Sequence, residues 1–472
     1  MAKSKRASSK RKLPLPCLNL VQNPSFEQGF DSWEYFGDIA LVGFLAFEGA
    51  QMIKMSPNPG SLWQDVSLDG VKGYPLLLSF NLRGSEVTSN VPPPHLLVEV
   101  AWLDITGRII GYGTRMYLEP GSATGNENER VTYFEITDRP PEQAALARVL
   151  FSKREGNEAS FIQLDQVILA PVLTPNLLKN SGFEIGLNHW TTETFDTEFG
   201  FPLEGALAAQ ADEPNSTLFQ DVSITSQPRG SSYLVGFSLR TTERIETNVQ
   251  ILWLNRNDAI IGPPGFILAV PENTLQNQGG YLTYLGLTTP APAGAVRARV
   301  LFNAVEPLNI DQVWLIRVAT SNLISNSGFE SGLDFWTSSN VDVPSTNDAY
   351  EGVRYAALEA GEFIYQDALL KKAPGHCFLF SFALRARSDY LNGLAKVIWL
   401  DQTGNEIGLG LSLVAQTLDS EGDPFKWLVY AGVTESAPRG AVAARLQFAH
   451  TNDAGSAAMM DIDHVLFCRL LN

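Results

Sequence analysis

The chain has 472 residues, of which 44% are hydrophobic and 18% charged, with 39 Gly, 27 Pro and a formal net charge of −17 at pH 7. Such apolar content excludes a disordered chain, and the scarcity of charge beside so many turn residues points away from helices and toward an all-β protein of short strands. The acidity excludes nucleic acid as a partner for the body of the protein, because phosphate binding rests on Lys and Arg.

The charges in residues 1–17 are all positive, at Lys3, Lys5, Arg6, Lys10, Arg11 and Lys12; without them 28 basic face 51 acidic residues, a net −23. This segment reads as a basic disordered tail. Pro14 and Pro16 interrupt the residues after it, so no ordinary signal peptide is expected, and no stretch approaches the about 20 apolar residues that span a bilayer. A soluble protein made in the cytoplasm is the expectation.

Beyond the tail the sequence repeats. Asn19-Leu-Val-Gln-Asn-Pro-Ser-Phe-Glu-Gln-Gly29 returns as Asn176-Leu-Leu-Lys-Asn-Ser-Gly-Phe-Glu-Ile-Gly186 and as Asn322-Leu-Ile-Ser-Asn-Ser-Gly-Phe-Glu-Ser-Gly332, each followed by a tryptophan, Trp33, Trp190 or Trp336. In chain order each copy then carries a glycine (Gly49, Gly205, Gly352), a Gln-Asp pair (Gln64-Asp65, Gln220-Asp221, Gln366-Asp367) and a strand ending in arginine (Arg83, Arg240, Arg385). Trp-Leu-Asp/Asn follows at Trp102, Trp253 and Trp399, then an Ala-Arg-Val/Leu strand at Arg148, Arg299 and Arg445, and a closing Asp-x-Val at Asp165, Asp311 and Asp463. The copies start 157 and 146 residues apart, measured at Asn23, Asn180 and Asn326, which is a whole-domain spacing. Modules are therefore expected at residues 18–172, 175–318 and 321–469, each folding around its own core.

Leu78, Phe80 and Leu82 alternate with Ser79, Asn81 and Arg83, and the corresponding strands around Phe237 and Phe382 do the same. Alternation of this kind predicts a half-buried antiparallel strand, and with it a two-sheet sandwich in each copy. The links Pro171-Val-Leu-Thr-Pro175 and Arg317-Val-Ala-Thr-Ser321 are short, which predicts a semi-rigid row of modules. Cys17, Cys377 and Cys468 occupy unmatched places and are expected to be free thiols.

The opening Asn-Leu-x-x-Asn-x-x-Phe-Glu-x-Gly…Trp, the mid-module Gln and the closing Asp-x-Val resemble the carbohydrate-binding modules of the galactose-binding-like jelly-roll superfamily. The fold that this implies is three tandem jelly-roll β-sandwiches. The Trp-Leu-Asp-x-x-Gly strand and turn at Trp102 to Gly107 and Trp399 to Gly404 is also similar to domains on bacterial endospore surface proteins, which would suit a protein deposited on a spore from the cytoplasm. Asn255-Arg-Asn-Asp in the second copy departs from that turn.

The resemblance implies that Glu27 with Asp165, Glu184 with Asp311, and Glu330 with Asp463 lie together and, with backbone carbonyls, hold a structural calcium ion. The physics agrees, since Ca²⁺ takes six to eight hard oxygens and neighbouring carboxylates repel; hydrogen-bonded strand caps are the other role open to them. Trp33, Trp190, Trp336, Trp102, Trp253 and Trp399 read as core, the last three because they share strand parity with apolar neighbours. Arg83, Arg240 and Arg385 fall on polar parity, as do Arg148, Arg299 and Arg445. If the two strands share a sheet, each module presents a pair of guanidiniums suited to a carboxylate or acidic sugar; internal salt bridges are the competing role. Glu99, Gln250 and Lys396 take equivalent positions, so the three faces differ in chemistry.

No Gly-x-Ser-x-Gly, His-Glu-x-x-His or phosphate-loop motif occurs, and His95, His189, His376, His450 and His464 fall at unrelated points of the repeat. The expected function is non-catalytic binding of a polysaccharide or glycosylated surface. The alternative is a structural spore-coat or cell-surface assembly protein that packs against coat-protein neighbours, and a glycoside-acting enzyme ranks third.

Overall fold

The repeated opening folds into the same turn three times. Asn23, Asn180 and Asn326 take left-handed backbone angles (φ 50°, 52° and 49°), which Asn tolerates because its short side chain bonds locally. Each side chain donates through Nδ2 to the carbonyl of the motif glycine (Gly29, Gly186, Gly332), and the backbone oxygen of each accepts the indole N–H of the following tryptophan at 3.0 Å. The motif tryptophans are thus buried anchors, 5%, 8% and 7% exposed, as their place in the sequence predicts.

The computed structural model describes residues 19–43, 46–84, 95–118, 130–154, 161–198, 202–211, 213–304, 307–371, 373–387, 391–416, 426–453 and 457–471. The basic tail and Cys17 lie outside the described residues; Cys377 and Cys468 are buried and in no disulfide, and Cys377 Sγ lies 3.6 Å from Ser436 Oγ.

The ladders between strands are antiparallel and stay within one repeat. In the second repeat the outer sheet runs Thr191–Thr192, Ser216–Ser223, Arg297–Ala304, Thr247–Leu254, Phe266–Val270, and the inner sheet runs Phe195–Glu198, Ala208–Ala211, Leu308–Val318, Ser232–Arg240, Leu282–Leu287. The third repeat has the same plan. In the first, the strand Met52–Ser67 passes through both layers, pairing early with Ile162–Pro171 and later with Leu146–Lys153, so its sheets are continuous. The chain is all-β and sandwich-built, with one short helix, Thr274–Gln278, among the described residues.

Burial separates the two layers. Outer strands alternate strictly: Leu146–Lys153 and Arg297–Ala304 both read half-buried, buried, half-buried, buried. Inner strands do not: Leu76–Gly84 and Phe378–Ala386 are buried at every position. Ser79, Asn81 and Arg83, expected to face water, are 1%, 0% and 4% exposed. Something covers the second face of each inner sheet, and it is the neighbouring repeat.

The same contact recurs at each seam. Gly49 donates its N–H to Val414 O, Gly205 to Tyr117 O and Gly352 to Ala269 O, so repeat one docks on three, two on one, and three on two. The residue two before each glycine inserts into the neighbour: Phe47 stacks on Tyr430 (4.1 Å between centroids), Tyr350 packs on Tyr284 (4.5 Å), and Leu203 joins the first repeat's core. At the centre the strands Arg130–Ile136, Leu282–Leu287 and Trp427–Val433 meet. Thr283 Oγ1 donates to Thr132 O at 2.9 Å and Thr132 Oγ1 donates to Val429 O at 2.7 Å. Val429 has no hydroxyl to complete the circle, and Tyr350 Oη donates to Thr283 O in its place. The three sandwiches therefore close into a ring.

This corrects one expectation, since the repeats form no row. The first and third repeats keep apolar clusters largely their own, and a further cluster built on the second repeat takes in seam residues of both neighbours, from Phe134 and Ile168 to Trp427 and Leu466. The short links were compatible with either arrangement. What decides between them is the Ser/Asn/Thr parity of the inner strands, whose polar groups bond cross-strand neighbours within each sheet, Asn81 Nδ2 to Thr132 Oγ1 and Ser238 Oγ with Thr283 Oγ1, while Thr132 and Thr283 bond on into the next repeat.

Candidate functional site

With inner faces sealed, the surface each module offers outward is the open face of its outer sheet. The Gln-Asp pair organises it. Gln64 accepts Gln22 N–H (2.8 Å) and donates back to Gln22 O (2.9 Å), clamping the opening segment, and Gln220 and Gln366 do likewise with Lys179 and Ser325. The adjoining aspartate points to the open face, where Asp65 and Arg148 are cross-strand partners, as are Asp221 and Arg299, and Asp367 and Arg445.

Each of these arginines is held by a two-bond fork: Arg148 on Asp65 at 2.6 and 2.7 Å, Arg299 on Asp221 at 2.7 and 2.8 Å, and Arg445 on Asp367 at 2.7 and 2.8 Å. Each also lies over an aromatic ring two residues before the aspartate, Trp63 at 5.8 Å, Phe219 at 3.9 Å and Tyr365 at 4.1 Å. The side chains keep 30%, 25% and 24% of their surface. The result is a fixed Asp–Arg–aromatic triad, repeated on all three faces. The aromatic member was not singled out in the sequence, although Trp/Phe/Tyr-Gln-Asp is legible there.

Arg83, Arg240 and Arg385 do not join them. They sit on inner-sheet strands, so the expected guanidinium pair on one open face does not form. Arg385 is enclosed at the second and third repeats' seam, bonded to Asp461 Oδ2 (2.9 Å) and Asp348 Oδ2 (3.0 Å) and lying over the rings of Tyr355 and Trp427. Arg83 is buried at 4% and Arg240 is half-buried. Strand parity identified a face for these residues; it could not show that a neighbour covers it.

The first face is the richest. Neighbouring rows across its strands place Trp63, Leu150, Glu99 and Arg115 in one line and Asp65, Arg148, Ala101 and Tyr112 in the next. Arg115 donates through Nε to Glu99 Oε1 at 2.6 Å and sits 4.3 Å from the ring of Tyr112 and 6.0 Å from that of Tyr117. Tyr112 and Tyr117 are 41% and 40% exposed. Gln250 and Lys396 replace Glu99 in the other modules, where Ile267 and Ser412 pair with them in place of Arg115.

The Glu/Asp pairs do come together, and a third carboxylate joins each. Glu27 Oε1 accepts the N–H groups of Ala50 and Gln51, while Asp165 Oδ2 accepts those of Phe47 and Glu48. Glu184 and Asp311 hold the loop around Glu204 in the same way, and Glu330 and Asp463 the loop around Glu351. Glu48, Glu204 and Glu351 precede the docking glycines, and Glu48 Oε1 reaches across the seam to Val414 N–H at 2.9 Å. Burial holds the carboxyls of Asp165, Asp311, Asp463 and Glu204 well above the ordinary carboxylate range, with repulsion from Asp311 adding to Glu204. Clustered hard oxygens with surplus negative charge have the donor chemistry calcium takes. Against this, the oxygens named already face N–H donors, and among the described residues no three or more His, Cys, Asp or Glu side chains form a group that could hold a metal ion.

No family model matches the chain, and no curated protein does. Solved structures do match. The N-terminal tandem carbohydrate-binding domain (CBM22-1–CBM22-2) of Xyn10C from Paenibacillus barcinonensis is 15% identical, with a TM-score of 0.27, over 67% of this chain and 100% of that one. The TmCBM61 structure, solved with β-1,4-galactotriose, is 20% identical with a TM-score of 0.25, over 32% of this chain and 99% of that one. The enzymatically active domain of tailspike protein 4 from bacteriophage CBA120 is 21% identical with a TM-score of 0.26, over 31% of this chain and 21% of that one.

Proposed function

We propose that this protein binds carbohydrate without transforming it, on the open faces of its outer sheets and most strongly on the first. The observation that carries the reading is Arg115, fixed by Glu99 and flanked by the half-exposed rings of Tyr112 and Tyr117 beside the Asp65–Arg148–Trp63 triad. Exposed ring faces take the C–H side of a sugar, and side chains already held in place lose little freedom on bonding its hydroxyls. The Arg115 side chain, 42% exposed and bonded to Glu99 through its guanidinium Nε, suits a carboxylate, so the ligand class is a polymer bearing acidic sugars. Titration calorimetry with oligogalacturonate, and with neutral cello-oligosaccharides for comparison, tests this. Arg115→Ala and Tyr117→Ala should each weaken acidic-oligosaccharide binding about tenfold, roughly 1.4 kcal/mol. Unchanged affinity in both variants would remove the site.

A structural calcium ion held by the Glu27/Asp165, Glu184/Asp311 or Glu330/Asp463 pair with backbone carbonyls belongs to the same proposal, supported by the repulsion between Glu48 and Asp165, Glu204 and Asp311, and Glu351 and Asp463. A coat-assembly role is the second reading, served by the exposed Phe36, Phe335 and Leu369 (74%, 72% and 80%), which glycan-independent self-association in sedimentation would favour.

A further inference from the structure

The ring determines what three binding faces can do together. Because the inner sheets meet at the centre and are buried on both sides, the three outer faces are turned away from that centre. The seams at Gly49, Gly205 and Gly352 hold them so, each through a backbone bond into the next repeat. A row of modules on flexible links could lay all its faces along one polymer, raising avidity by high local concentration. That gain vanishes when geometry forbids simultaneous engagement.

We infer that the protein is a cross-linker, holding up to three separate polysaccharide strands on divergent faces. The inference rests on the carbohydrate-binding reading above. It adds the valency, which comes from the Arg148, Arg299 and Arg445 triads being built alike, and the divergence, which comes from ring closure. The partner is therefore a network of long acidic polysaccharide chains, and short fragments of the same polymer are simple occupants of single faces.

The test uses the full chain with polygalacturonate of high molecular mass and with its hexamer. Three hexamers should bind per protein, the one on the first face most tightly, because that face alone has Arg115. The long polymer should turn turbid at intermediate ratios, clear again when protein is in large excess, and be dispersed by added hexamer. A variant with two faces disabled (Arg299→Ala with Arg445→Ala) should bind one hexamer and lose the turbidity. Its circular dichroism and melting confirm that it is folded, while hexamer dispersal on the unaltered protein tests the same point without any variant. Hexamer binding with only soluble complexes on the long polymer at every ratio overturns cross-linking and leaves the binding reading standing. No hexamer binding at all overturns the binding reading, and the cross-linking falls with it.

Discussion

Two arginines that look alike along the chain sit in opposite circumstances. Arg148 forks onto Asp65 at the surface, where an ion pair contributes about 0–1 kcal/mol because water and salt screen it. Arg385 is 3% exposed and neutralises Asp461, which is 0% exposed and also bonded by Arg387. Removing the partner of a buried charge costs about 3–5 kcal/mol. Urea unfolding should show Arg148→Ala within about 1 kcal/mol of the unaltered protein and Arg385→Ala at least about 3 kcal/mol below it. Equal losses would mean that the two layers are not differently covered. The sequence showed both residues on polar parity but gave no means of telling solvent from a neighbouring module. The tryptophans were easier to read, since Trp33 and Trp102 share parity or position with apolar neighbours and are 5% and 1% exposed.

The element that answers most directly to solution conditions is the seam. Glu135 on the central strand Arg130–Ile136 faces the second repeat, with Gln312 as a hydrogen-bond partner, and burial pushes its carboxyl up to about 7. An acid whose folded pKa lies above its unfolded value stabilises fully below the unfolded value and loses that contribution as pH rises through the folded one. Melting temperature should therefore fall between about pH 5 and 8, and Glu135→Gln should flatten that slope. A profile unchanged by the substitution would place the pH dependence elsewhere. The carboxylate clusters beside the docking glycines give a separate reading: chelation should lower the melting temperature if calcium is bound there, and an unchanged melt counts against the ion. The Glu27/Asp165 pairing was legible through the resemblance. Glu48, Glu204 and Glu351 were not, because only the glycine after each had been matched, and Glu48 and Glu204 bond across a seam that no single repeat contains.

Across the whole molecule, the repeat announced three sandwiches and said little about how they sit together. Short links suit a row and a ring equally, and the polar inner parity reads as solvent exposure until the neighbouring hydroxyls of Thr132, Thr283 and Tyr350 are seen to bond into it. Small-angle scattering is the most direct measurement of this arrangement, on which the divergent binding faces depend. A closed ring of this length should have a radius of gyration near that of a compact body, about 23 Å, whereas three such modules end to end would give roughly 35 Å. The smaller value with a single-peaked distance distribution is the predicted result; the larger value, with a long tail, would contradict it.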